Sequence, residues 1–160
     1  MSIKVGDRLP NATFRVMTAE GPKPKTTDEV FKGKKVVLFA VPGAFTPTCH
    51  KNHLPGFVTN AAAIKGKGVD TIAVTSVNDV FVQDAWKKAS NADAIEFLSD
   101  GNAEFAKAIG LELDASGAGL GIRTKRYSMI VEDGVVQALN VEDVPSKADV
   151  SNAENILKAL

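Results

Sequence analysis

A chain of 160 residues, 44% hydrophobic and 24% charged, is long enough to bury one sizeable core and too short for two, so a single domain over residues 1–160 is expected. Lys plus Arg equal Asp plus Glu at 19 each, so no global field attracts nucleic acid or an anionic membrane. No apolar run nears the roughly 18 residues of a membrane span, and one cysteine closes no intrachain disulfide, which excludes the stapled secreted class and points to a reducing, cytoplasmic setting.

The first residues, MSIKVGDRLPNATF, have neither an apolar h-region nor an Arg-rich amphipathic pattern, so no targeting peptide is expected. Ile3 to Val16 reads as irregular or edge structure, and Glu20-Gly21-Pro22-Lys23-Pro24 as a turn. Thr26 to Phe31 predicts a short helical turn capped by Thr27 or Asp28. Val36 to Val41 is a buried strand that stops at Pro42-Gly43. A helix then opens with Thr46 as cap and Pro47 in its first position, where a missing N–H costs nothing. That phasing puts Cys49 in the first helical turn, where free N–H groups and the positive end of the helix dipole favour a thiolate. The helix should reach about Lys65, with a kink or break at Pro55-Gly56.

Val69 to Val77 is a second strand. Asn78 or Asp79 then caps a helix with Phe81, Val82, Ala85, Trp86 and Ala89 on its apolar face. Ala94 to Leu98 is a third strand, and Asn102 caps a short helix through Ile109. Gly117 to Gly121 is a flexible link into a hairpin, Ile122–Val131 and Val135–Val141, turning at Asp133-Gly134. A capping box, Ser151 to Glu154, heads a last helix with Ala153, Ile156, Leu157 and Leu160 on one face. This order predicts an α/β thioredoxin-like fold: a central mixed sheet flanked by helices, with a C-terminal β-hairpin and helix.

The string Pro42-Gly43-Ala44-Phe45-Thr46-Pro47-Thr48-Cys49, followed by His53-Leu54-Pro55-Gly56, resembles the active-site segment of the peroxiredoxins of the type II or Prx5-like branch. The resemblance extends to Ser76-Val77-Asn78-Asp79, Ala85-Trp86 and Arg126-Tyr127-Ser128-Met129 before the Asp133-Gly134 turn, and so covers nearly the whole chain. It implies a thiol-specific peroxidase. Cys49 is then the peroxidatic nucleophile that becomes a sulfenic acid, Thr46 offers its hydroxyl, Pro42 walls and shields the pocket, and Arg126 bonds the thiolate and polarises the peroxide. Stabilising the thiolate alone is insufficient, because a more stable thiolate is a poorer nucleophile. The rate must come mainly from donors aimed at the peroxide oxygens in a dry pocket.

Arg123 competes with Arg126. Three residues apart on one extended strand, the two point to opposite faces, so barring a bulge only one should reach the pocket. The family pattern selects Arg126 and leaves Arg123 an orienting part.

Other readings of the same residues are weaker. An inert buried cysteine is common, but this one sits at a capped helix start after a strand. Cys49, His50 and His53 offer too few ligands for a structural zinc site, and His53 has no third member for a cysteine hydrolase; packing or loop anchoring suits it better. PGAFTPT lacks the glycine spacing and lysine of a phosphate loop.

No second thiol exists within the 160 residues. The resemblance therefore implies an external reductant, glutathione with glutaredoxin or else thioredoxin, with no prosthetic cofactor or metal, and a homodimer. A redox-sensing switch without turnover is the alternative. The peroxidase reading requires a sulfur that solvent can reach, within a side chain's length of the Thr46 hydroxyl and the Arg126 guanidinium.

Overall fold

The computed structural model describes residues 2–160. The strand that leads into the site is β3 (Lys35–Ala40), a β-branched and aromatic run buried from Val36 onward. β4 (Thr71–Ser76) pairs with it in parallel and β8 (Tyr127–Glu132) antiparallel. With β1 (Thr13–Thr18), β2 (Gly21–Thr26), β5 (Glu96–Ser99) and β9 (Val135–Val141), they form a seven-stranded mixed sheet in the order β2-β1-β5-β4-β3-β8-β9.

Alternation along β3 divides the core. Val36, Leu38 and Ala40 face one layer with Phe14, Phe31, Phe105 and Tyr127. That side is covered by α1 (Thr27–Phe31) and α4 (Glu104–Ala108). Val37, Phe39 and Val41 face the other, with Cys49, Leu54, Phe57, Trp86 and Ile156, under α2 (Leu54–Lys65), α3 (Val80–Ala89) and α5 (Ala153–Ala159). This is the thioredoxin-like arrangement expected. Among the described residues, no helix is long and apolar enough to cross a membrane.

Several local expectations are corrected. The Glu20–Pro24 turn is confined to its start, because Gly21–Thr26 is the outermost strand. An edge strand leaves one row of backbone groups without ladder partners, so Pro22 and Pro24 fit there. The α1 cap is Thr26, in a reciprocal box with Glu29; Thr27 and Asp28 lie inside the helix. On α3 the cap is Asp79, and the buried positions are Val80, Gln83 and Trp86, while Phe81 is 64% exposed. Asn102 caps nothing: the Asp100 carboxylate accepts from Phe105 N (3.0 Å) and Ala106 N (2.9 Å) at the start of α4. Asn152, not Ser151, caps α5.

Two corrections bear on the site. The helix reaches Lys65 as expected, and of the kink or break anticipated at Pro55-Gly56 the break does not occur. Pro55 has no N–H, and its ring crowds the carbonyl four residues back. A π-helical turn, Cys49–His53, takes up the misfit, with the Leu54 amide reaching back to the Cys49 carbonyl, and the helix runs on to Lys65. Nor is Ile122–Val131 one strand. Ile122–Thr124 (β7) pairs with Glu112–Asp114 (β6) in a separate ribbon, the glycine-rich link between them holds a 3-10 turn at Ser116–Ala118, and β8 begins only at Tyr127. The β8–β9 hairpin turns at Asp133 (φ 48°) and Gly134 (φ 78°), as anticipated.

Candidate active site

The site begins where β3 ends. Pro42 to Thr46 make a tight loop in which Thr46 N–H bonds Gly43 O at 3.3 Å and Ala44 N–H donates to Asn78 Oδ1 at 2.9 Å. Phe45 is forced to φ 63°, a strained conformation for a bulky residue, with its ring against His50. Thr46 holds the cap position, its carbonyl accepting from His50 N at 2.8 Å. Its hydroxyl makes no bond to a helix amide among the described residues. It lies instead 2.6 Å from Gly43 O and 2.8 Å from Cys49 Sγ.

A hydroxyl has one proton, so these two contacts specify a protonation pattern. With a thiol, Sγ–H donates to Thr46 Oγ1 and Thr46 donates to Gly43 O. With a thiolate, the Thr46 proton turns to sulfur.

Arg126 approaches from the start of β8 and is 2% exposed. Nη2 donates to Cys49 Sγ at 2.9 Å, Nη1 to His53 Nδ1 at 2.9 Å and Nε to Pro145 O at 2.9 Å. An arginine cannot accept, so His53 Nδ1 is the acceptor and Nε2 carries the proton, donated to Ser151 O at 2.9 Å. Burial and then the Arg126 charge lower the His53 pKa to about 4, so the ring is neutral at physiological pH.

The segment from Pro145 to Ser151 is fastened over this pair. Glu142 accepts from Val150 N (2.9 Å), Ser151 N (2.7 Å) and Ser151 Oγ (2.6 Å), and Thr48 Oγ1 donates to Ser146 O at 2.7 Å. Burial pushes the Glu142 carboxyl up, but these donors outweigh it and hold the group below its ordinary range.

Above the pair lies a cavity of about 470 Å³. Pro42, Thr46, Thr48 and Arg126 form its floor, Pro145 one side, and Leu113 with Leu120 of the β6–β7 ribbon its roof. Cys49 has no exposed surface. The sulfur therefore lies within reach of both partners, but the expectation of a solvent-reached sulfur is corrected: what is open is the cavity next to it, because Thr46 and Arg126 lie between sulfur and cavity. Their polar ends face both. Chemically this is a nucleophile, a hydroxyl and a fixed cation converging beside a mostly apolar void.

A family model described as Redoxin matches residues 4–157. Peroxiredoxin-2E, chloroplastic, of Arabidopsis thaliana is 47% identical over 164 residues, covering 99% of this chain and 70% of its own length. The chain belongs to the redoxin family, as a peroxiredoxin. Peroxiredoxin-2C of Oryza sativa subsp. japonica is 44% identical, covering 99% of this chain and 98% of its own. The crystal structure of reduced Prx3 in complex with H2O2 from Vibrio vulnificus superposes with a TM-score of 0.94 at 55% identity, covering 98% of each chain. The protein is a thiol peroxidase.

Within this peroxiredoxin, Pro42, Thr46, Cys49 and Arg126 are brought together as the sequence anticipated. Only Arg126 of the two arginines lines the cavity, and Arg123 comes to its edge, although the one-strand geometry behind that expectation does not hold. The strand is interrupted at Lys125-Arg126, and Arg123 reaches over from the separate ribbon to Pro42 O at 3.5 Å. His53 anchors the loop at Ser151, as expected, and also holds Arg126, a contact no sequence pattern signalled. Asn78, expected as a possible helix cap, ties down the nucleophile loop. Glu142 and the apolar roof were not identified from sequence. His50 accepts from Trp86 Nε1 at 3.1 Å and faces away from the sulfur chemistry. Among the described residues no group of three or more His, Cys, Asp or Glu could hold a metal.

Proposed function

We propose that Cys49 reduces hydrogen peroxide and organic hydroperoxides, with Thr46 and Arg126 holding the reacting atoms and Pro42 walling the pocket. The observation that carries this reading is the convergence of Thr46 Oγ1 and Arg126 Nη2 on Cys49 Sγ, at 2.8 and 2.9 Å, beside the cavity. Arg126 is buried, always charged, and has no carboxylate within ion-pair distance among the described residues. A buried cation without a counterion is costly, and the Cys49 thiolate supplies one.

The sulfur attacks one peroxide oxygen and the O–O bond breaks. The leaving oxygen departs as water or an alcohol after taking a proton, and Cys49 is left as a sulfenic acid. Arg126 and Thr46 face the charge that moves from sulfur to the leaving oxygen. An external thiol then condenses with the sulfenic acid, releasing water and forming a mixed disulfide, and a second thiol frees Cys49 as a disulfide leaves. Glutathione with glutaredoxin is the preferred donor, because a mixed disulfide with a small thiol needs no resolving cysteine; thioredoxin is the alternative.

The apolar cavity supports organic hydroperoxides as substrates. The cytoplasm remains the proposed location, and exposed Phe45 and Phe81, on segments joined by the Ala44–Asn78 bond, support a homodimer. Sedimentation of the parent protein tests the dimer.

Peroxide consumption by the parent, Cys49→Ser and Arg126→Ala with each donor system tests the assignment. Activity must vanish in Cys49→Ser. A peroxide-treated sample showing no glutathione adduct at Cys49, with full turnover by thioredoxin, reverses the donor preference. The alternative reading is a thiol switch in which the same cysteine reports oxidation to a partner without turnover. Rapid-mixing oxidation without sustained reductant-dependent cycling would establish the switch.

A further inference from the structure

The β6–β7 ribbon belongs to no other sheet, yet it roofs the cavity. Its base is fixed by Lys125 N to Leu111 O at 2.8 Å and Thr124 Oγ1 to Leu111 O at 3.4 Å. Its outer part is joined to the nucleophile loop, at the edge of the cavity, by one side chain. Arg123 Nε donates to Leu120 O at 2.8 Å, within the roof, and Nη1 reaches Pro42 O at 3.5 Å, in the nucleophile loop. Among the described residues this is the one hydrogen bond joining the ribbon to that loop. Arg123 pairs across the ribbon with Leu113, so both side chains leave the same face of the ribbon, and Leu113 lines the cavity. Its guanidinium also packs close to the loop, since a Cβ on Gly43 would lie 3.4 Å from Nη1. No carboxylate lies within ion-pair distance of Arg123 among the described residues, so its fixed partners are these two carbonyls.

We infer that Arg123 is a positioning residue that sets which hydroperoxides the peroxiredoxin prefers, by clasping the Leu113–Leu120 roof to the Pro42 loop. The inference rests on the reading that the cavity receives the organic part of a hydroperoxide. Hydrogen peroxide has no organic part and needs only the groups around the sulfur. A bulky hydroperoxide also needs an apolar wall held at a fixed distance.

The test compares kcat/KM for cumene hydroperoxide and hydrogen peroxide in the parent, Arg123→Met, Arg123→Lys and Leu120→Ala. Methionine keeps apolar packing against Leu113 and loses both hydrogen bonds. Lysine keeps the charge but has no donor at the Nε position. The ratio of the two rate constants should fall about tenfold in both Arg123 variants, the scale of lost pocket contacts. An unchanged ratio in both, alongside a reduced ratio in Leu120→Ala, overturns the clasp and leaves the proposed substrate class standing. An unchanged ratio in Leu120→Ala overturns the substrate reading itself. Parent behaviour in Arg123→Lys with a fall in Arg123→Met assigns the effect to charge and also overturns the clasp. Thermal melts accompany each variant, and Arg123→Lys carries the test if Arg123→Met fails to fold.

Discussion

Arg126 Nη1 and His53 Nδ1 lie 2.9 Å apart in the interior, a cation donating to a neutral imidazole. The contact fixes the tautomer of His53 and the tilt of the guanidinium, so Nη2 is aimed at the sulfur. It also ties the catalytic centre to the Ser151 segment, through Nε2 of the same ring.

Acid should begin to undo this arrangement before it protonates the carboxylates generally. His53 has a folded-state pKa of about 4, below its unfolded value of 6.5, so the folded state favours the neutral ring. Its stabilising contribution is complete above the unfolded value and is lost as pH falls from about 6.5 towards 4, because the unfolded chain binds the proton first. At about 1.4 kcal/mol per pH unit, roughly 2 kcal/mol is lost by pH 5. Thermal melts of the parent and His53→Gln at pH 7 and 5 should show the larger difference between pH values in the parent.

Removing the guanidinium should affect both rate and stability. Arg126→Ala takes away a donor to the reacting sulfur, and peroxidase kcat/KM should fall roughly 10²–10³-fold. It also leaves His53 Nδ1 and Pro145 O without their donor, at a cost of about 1–3 kcal/mol. Arg126→Lys restores a charge but cannot hold three partners with one ammonium, so its rate should stay well below the parent. Peroxide kinetics and denaturant melts on both variants check the two effects separately.

Gly43 is held to glycine by contact rather than by conformation, since its φ is not positive. A Cβ there would lie 2.9 Å from Thr46 Cγ2 and 3.4 Å from Arg123 Nη1. Gly43→Ala should therefore push Thr46 off the sulfur and lower kcat/KM about tenfold or more, the scale of a misplaced donor. The checking measurement is peroxide consumption beside a melt showing the fold intact.

Where chemistry depended on neighbours in sequence, the chain was legible. Thr46, Pro47 and Cys49 are placed by one strand end and one helix start, and local capping rules suffice. Arg126 was recovered from a residue pattern, not from geometry: the argument from odd spacing assumed a continuous strand that the Lys125-Arg126 interruption breaks. His53 and Arg126 are 73 residues apart, and no periodicity connects them. The Ser151–Glu154 box was misleading because Glu142, a more strongly accepting partner brought in by β9, takes both the amide and hydroxyl of Ser151. β2 was hidden by Pro22 and Pro24, which are tolerated only because the strand is at the edge.

Glu142 offers the sharpest separation of site architecture from chemistry, since it touches neither the sulfur nor the cavity. Its carboxylate gathers three donors from Val150 and Ser151, and Ser151 O in turn receives His53. Glu142→Ala leaves those donors without an acceptor and should cost about 2 kcal/mol or more, as expected for bonds to a charged group. The folded carboxyl is held below its ordinary value, so its contribution is present above about 4.5 and lost as pH falls through the lower folded-state value. Loosening Ser151 frees the far side of His53, and Arg126 then loses a fixed acceptor on one nitrogen. Peroxidase activity should fall by less than in Arg126→Ala, and the variant's stability should depend less on pH below 4.5 than the parent's. A Glu142→Ala protein with parental melting behaviour across that range would show that the Ser151 segment is held by its other contacts.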